Sequence, residues 1–155
     1  MSDQYYLTEE GAERMKEELQ QLKGPARQEL AKRLRSAIEM GDLSENADYH
    51  AAKEAQAFLE GRIQELEHVL KNAQIVEKSN GKPERVDLGV QVTIQEEEYP
   101  PESYLLVGDK EADPRNGRIS YESPIGKALM GSKEGDEVLA KTPGGQVRIK
   151  VLKIE

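Results

Sequence analysis

Residues 41–50 read GDLSENADYH and gather Asp42, Glu45 and Asp48 into one short polar stretch. Carboxylates so spaced beside a helix start support two kinds of chemistry. The first is capping: Asp42 accepts from the amide three residues on while Glu45 reaches back, as in a capping box, and acids here also complement the positive end of the helix dipole. The second is ligation of a hard cation, because Mg²⁺ takes one or two protein carboxylates and fills its octahedron with waters and phosphate oxygens. Two or three carboxylates leave most of that octahedron empty, so the remaining ligands must come from another macromolecule. The chain has no Cys and only two His, His50 and His68, neither with the partner spacing of a metal site.

The flanking segments must position this stretch. Thr8 followed by Glu9 and Glu10 reads as a helix N-cap with acids in the first turn. Ala12, Met15, Leu19, Leu22 and Ala26 then form a heptad seam, which Gly24-Pro25 is expected to kink or restart. Leu30, Leu34 and Ile38 continue it to Gly41, which stops the helix. A second helical pattern runs through Ala47, Ala51, Ala55, Leu59, Ile63, Leu66, Leu70 and Ala73. Two such stretches joined by a short turn predict an antiparallel hairpin with a buried coiled-coil seam. An arm of ~30 residues extends roughly 45 Å at 1.5 Å per residue. The acidic stretch at 41–46 therefore lies at the tip of a rod.

Beyond residues 78–85, a Gly/Pro-containing linker, the period changes to two. Val90, Val92 and Ile94 alternate with polar residues, Tyr104–Val107 is a short apolar run, and Arg118–Tyr121 and Val147–Val151 alternate again. Gly144-Gly145 marks a hairpin and Pro124–Met130 a short helix. The expected fold class is α+β: residues 1–77 as a helical hairpin domain, and 86–155 as a mostly antiparallel sheet with one short helix.

Of the 155 residues, 36% are hydrophobic and 34% charged, too little apolar material for one large core and too much for a disordered chain. A net charge of −8 excludes holding nucleic acid over the whole surface. With no leader-like start and no long apolar run, the expectation is a soluble cytoplasmic protein with no membrane partner.

GDLSENADYHAAKEAQAFLEGRI resembles the tip and second helix of the GreA/GreB family of bacterial transcript cleavage factors, whose pattern there is close to GDLxENAEYxAAKExQ. Similar matches occur at Gly11–Leu19, Val86–Thr93, Val107–Asp113 (VGDKEAD), Ile119–Gly131 and Thr142–Gly145, so the resemblance runs from end to end. It implies a coiled-coil hairpin followed by an FKBP-like domain, and a monomer that binds RNA polymerase. The hairpin would enter the secondary channel and stimulate the polymerase's own cleavage of the 3′ end of backtracked RNA, so the chain would not be an enzyme alone. By position, Asp42 and Glu45 would be the catalytic and metal-holding pair, sharing a Mg²⁺ that the isolated chain does not hold stably. Asn46 would position or cap the tip, and Asp48 remains a neighbour. Lys53 matches a basic RNA-contacting site. Where relatives often carry Arg before the tip this chain has Ile38, leaving Arg35, with Lys32 and Arg33, as RNA contacts. Ser123, Pro124, Ile125 and Gly126 match the polymerase-binding loop. The alternative is a Gre-like inhibitor that plugs the channel; the retained Asp42-x-x-Glu45-Asn46 arrangement favours cleavage.

Overall fold

A computed structural model describes residues 5–77 and 81–155. The chain start read for a leader, residues 1–4, and the first linker residues, 78–80, lie outside the described residues. The chain divides into two compact units, Ala12–Asn72 and the segment ending at Gly11 together with Ala73–Glu155. Among the described residues no helix is long and apolar enough to cross a membrane.

The helical unit carries most of α1 (Glu9–Gln21), then α2 (Arg27–Glu39) and α3 (Ala47–Asn72). The expected break at Gly24-Pro25 is instead a π turn over Leu22–Ala26, across which the helix continues. Arg27 N reaches Leu22 O, and this wider i→i−5 loop accommodates a residue that has no amide and whose ring would clash with the carbonyl of an ordinary turn. Met15, Ile63 and Leu66 are buried, as the heptads predict, whereas Val69 is buried in place of the expected Leu70, which is half-buried. Near the tip the seam differs from the expected one. Ala37 and Ala52 are buried there, while Ile38 is 52% exposed and Ala51 lies outside. A strict spacing of four drifts around the axis, and a step of three from Leu34 to Ala37 returns the stripe to the partner helix. Small residues at both buried positions allow the two helices to approach closely beside the turn.

Among the described residues, ion pairs at Arg27, Arg62 and Lys23 cross this hairpin. Arg27 forks onto Glu60 at 2.9 and 2.8 Å, Arg62 onto Glu18 at 2.8 and 3.0 Å, and Lys23 lies 3.8 Å from Glu67. All are partly exposed, so each is worth about 1 kcal/mol or less. The apolar seam supplies the stability, and the forks favour one register.

The other unit contains a five-stranded sheet in the order β5-β4-β3-β7-β6. Its strands are β3 (Gln91–Glu96), β4 (Glu102–Val107), β5 (Arg118–Ser120), β6 (Glu137–Thr142) and β7 (Gly145–Ile154). The sheet is mixed, because β5 joins β4 in parallel while the other pairings are antiparallel. A bulge at Thr93/Ile94 shifts the β3–β7 register, so that Val151 and Ile154 both reach the core despite their odd spacing. Val92, Leu106, Ile149 and the short α4 (Pro124–Leu129) close that core, each buried aliphatic contributing about 1.5–3 kcal/mol. Two further strands have no counterpart in the periodicity: β1 (Tyr5–Thr8) pairs in parallel with β2 (Ala73–Val76). Ala73, expected as the last seam residue, instead begins β2, and Asn72 Nδ2 donates to His68 O at 2.9 Å in the last turn of α3.

Candidate functional site

The tip is a loop, Gly41–Asn46, between α2 and α3. Gly41 turns the chain with φ 118°, a conformation side-chain-bearing residues rarely adopt. Met40 N and Gly41 N still bond to Ala37 O and Ile38 O, closing the last turn of α2. Both carboxylates of interest lie in this loop rather than at a helix start, and the expected Asp42–Glu45 capping box does not form. Asp42 Oδ1 instead accepts from Ser44 N at 3.1 Å and Ser44 Oγ at 2.8 Å, an Asx turn. These two bonds, the hydroxyl first, hold the Asp42 carboxyl below the usual carboxylate range. Glu45 is exposed and has no hydrogen bond or ion pair among the described residues.

Asn46 does the capping. Its Oδ1 accepts from Tyr49 N at 3.0 Å, and its Nδ2 donates to Ala37 O at 2.6 Å. One side chain thus satisfies an orphan donor at the start of α3 and an acceptor at the end of α2. His50 lies close by, with Nε2 3.4 Å from Ser44 O. Asp48 is an exposed first-turn acid of α3. The structure therefore brings Asp42, Ser44, Glu45 and Asn46 together in one turn. Ser44 was not foreseen, although its position two residues after Asp42 is the spacing of an Asx turn.

Cations divide along the hairpin. Lys23, Arg27 and Arg62 are engaged by acids, whereas Lys32, Arg33 and Arg35, on the half of α2 nearer the tip, are exposed with no ion pair among the described residues. Lys53 Nζ donates to Gln56 Oε1 at 3.1 Å and has no ion pair among the described residues. Arg35 and Gln56 line a groove of about 440 Å³ together with Leu34, Ile38 and Leu59. Arg35 and Ile38 thus lie in the groove wall, and Lys53 bonds to Gln56 of the same wall.

At the start of α4, Ser123 Oγ accepts from Gly126 N at 3.1 Å and donates to Ser120 O at 2.6 Å. Gly126 is buried so tightly against Ser120 O that a Cβ would overlap it. Pro124 is exposed and Ile125 half-buried against the core. Of these four residues, Pro124 and Ile125 present surface, while Ser123 and Gly126 shape the turn beneath them.

Among the described residues no three His, Asp or Glu side chains form a metal cluster. The tip donor set is two hard carboxylates on a solvent-facing loop, which suits a Mg²⁺ shared with another macromolecule and not a self-contained cage.

Comparisons with known proteins agree over the whole chain. The family model for the transcription elongation factor N-terminal region matches residues 5–75, and that for the GreA/GreB C-terminal region matches 80–155. The transcription elongation factor GreA of Geobacillus kaustophilus is 46% identical over 153 residues, covering 98% of this chain and 97% of its own length. That of Thermoanaerobacter pseudethanolicus is 46% identical over 155 residues, 99% of each chain. The solved GreA factor homolog 1 of Thermus thermophilus aligns over 99% of both chains with 32% identity and a TM-score of 0.46. With two family models covering both parts of the sequence and relatives at nearly half identity end to end, the chain belongs to the GreA/GreB family of transcription elongation factors.

Proposed function

We propose that the chain is an elongation factor that binds RNA polymerase, places its hairpin tip in the secondary channel and stimulates the polymerase's cleavage of backtracked RNA. One observation carries this reading. Asn46 caps α3, so neither Asp42 nor Glu45 is spent as the helix cap, and both stand exposed in the terminal loop. The Asx turn with Ser44 uses one oxygen of Asp42 and leaves its second oxygen and the whole Glu45 carboxylate facing solvent.

Within this reading the chain donates ligands and performs no chemistry alone. Asp42, ionised and oriented by Ser44, offers its free oxygen; Glu45 offers both of its own. A Mg²⁺ bound there beside the polymerase's own metal would neutralise charge on the scissile phosphate and acidify a water. Asn46 ties the loop to the ends of both helices, so the two acids keep one presentation. Arg35 and Lys53 are available for RNA phosphates, being exposed and free of carboxylate partners, as Coulomb attraction to a phosphate requires. Pro124 and Ile125 supply an apolar contact for the polymerase on the sheet unit. The Asp42–Glu45 pair favours cleavage over channel plugging, since a plug needs bulk and not a ligand pair.

The test is a stalled, backtracked complex of the cognate polymerase carrying 3′-labelled RNA. Addition of the protein is expected to release short labelled 3′ fragments, and Asp42→Ala is expected to bind equally while releasing roughly a hundredfold less per unit time. No fragment with wild type would refute the function. Undiminished cleavage by Asp42→Ala would refute the tip assignment alone.

A further inference from the structure

β6 ends the five-stranded sheet and pairs with β7 on one side only. Which of its backbone groups face the open side follows from the register. In an antiparallel pair, residues that exchange both hydrogen bonds alternate with residues whose amide and carbonyl point the other way. The two-residue turn Pro143-Gly144 makes Thr142–Gly145 the closing pair, and at the far end Val151 N donates to Asp136 O at 2.8 Å. Both ends place Val138, Ala140 and Thr142 in the bonded positions, opposite Ile149, Val147 and Gly145. Glu137, Leu139 and Lys141 therefore direct their amides and carbonyls out of the sheet edge, where nothing among the described residues bonds to them.

The side chains of these three residues form an exposed row. They alternate with Ala140, which is buried, and Val138, which packs against the core, so they lie on the opposite face of the sheet. Leu139, at the centre, is 57% exposed. Glu137 and Lys141 are exposed on either side of it, with no ion pair among the described residues.

This row is self-complementary. An unpaired edge is a template for another strand, but only the outward-facing residues can exchange bonds with it. An antiparallel copy of β6 must therefore pair positions 137, 139 and 141 among themselves. One register uses all three: Leu139 meets Leu139 of the second copy, and each Glu137 meets a Lys141. A slip of two residues in either direction sets Leu139 against a charge and leaves an end unpaired. Charges on an edge ordinarily deter pairing; opposite charges equally spaced about Leu139 deter the slipped registers and favour the centred one.

We propose that a second copy of this chain occupies this edge, the two β6 strands pairing antiparallel about Leu139 to join the sheets across a two-fold axis. The dimer replaces the monomer that the family resemblance implies for the isolated chain, and it stands independently of the cleavage reading. One strand edge is small beside the roughly 1,200–2,000 Å² of stable complexes, so the association depends on concentration.

The experiment is sedimentation of the full-length protein from about 1 μM to about 1 mM, the range in which weak association shows. The mass is expected to rise from 17.4 kDa toward twice that value. Over the same range amide exchange is expected to slow at Glu137, Leu139 and Lys141 and to stay constant at Val138 and Ala140, which already bond to β7. Lys141→Glu and Glu137→Lys each set like charges opposite one another and are expected to weaken the dimer roughly tenfold. An equimolar mixture of these two variants is expected to regain it, because every contact then pairs opposite charges. Leu139→Pro removes the central outward amide without breaking a bond to β7, and is expected to give a folded monomer. Wild type that stays at 17.4 kDa throughout overturns the proposal. A dimer that survives Leu139→Pro, or a mixture no tighter than its separate components, places the contact elsewhere and overturns it too. Growth in mass beyond the dimer overturns the closed two-fold pairing.

Discussion

Two helix starts in this molecule solve the same problem with opposite outcomes for their acids. At α1 the start of the helix is closed by Thr8 and by the buried carboxylate of Glu111, which accepts from both the amide and the hydroxyl of Thr8. At α3 it is closed by the neutral amide of Asn46, and the nearby acids take no part in the cap. Asn and Asp cap helices about equally well, so the choice of Asn46 at α3 carries no stability penalty. With Asn46 as the cap, neither carboxylate of that loop is needed to close the start of α3.

The largest expected effect tests whether the exposed tip acids matter. Glu45→Gln retains size and exposure but removes the charge, and should slow cleavage of backtracked RNA roughly hundredfold without weakening polymerase association. Equal rates for the variant and wild type would erase the contrast between the two helix starts.

Next in size is the buried terminus. Gly11→Ala gains about 0.5–1 kcal/mol in helix propensity but must displace the Glu111 carboxylate from Thr8, which costs about 1–3 kcal/mol. A net loss of roughly 1–2 kcal/mol is expected in the denaturant midpoint at constant m-value. A stabilised variant would show that the Glu111 carboxylate yields easily.

Asn46→Ala removes both the cap and the tie to Ala37 O, and should cost about 1 kcal/mol. Asn46→Asp keeps an acceptor for Tyr49 N but loses the donor to Ala37 O, and should fall between. If both variants melt with wild type, the two-helix clamp contributes nothing.

The smallest effect concerns pH. Asp42 is held below its ordinary value by the Ser44 hydroxyl and amide. A depressed carboxylate stabilises the turn above its unfolded pKa, and that contribution is lost as pH falls through the folded value. The window therefore lies at acid pH, at and below the ordinary Asp value of about 3.9. Ser44→Ala should move the Asp42 titration, followed by NMR, back up toward that value; an unchanged midpoint would show that the hydroxyl does not orient the acid.

Local periodicity made much of the architecture legible. Leu66, Ile63 and Met15 repeat at helical spacing, and Val92, Ile94, Ile149 and Val151 alternate, so the elements and their buried faces could be read directly. Thr8 was legible as a cap for the same reason: its partner amide is three residues away. The tip pair was legible by type and spacing, but not which residue would cap, because Asp42, Glu45 and Asn46 are all competent acceptors. Only the approach of Ala37 O selects Asn46, the one side chain among them that also carries donors.

The sequence by itself therefore determined the division into rod and sheet, the acidic end of the rod and the strand and helix stripes. These are properties of neighbours a few residues apart. The tertiary structure alone decided the π turn's continuity, the shift of the seam from Ile38 to Ala37, the β1–β2 pairing and the Glu111 cap. Each of these depends on a group brought from elsewhere in space. A glycine at position 11 signals an empty place, but no local pattern states that a carboxylate 100 residues distant along the chain fills it.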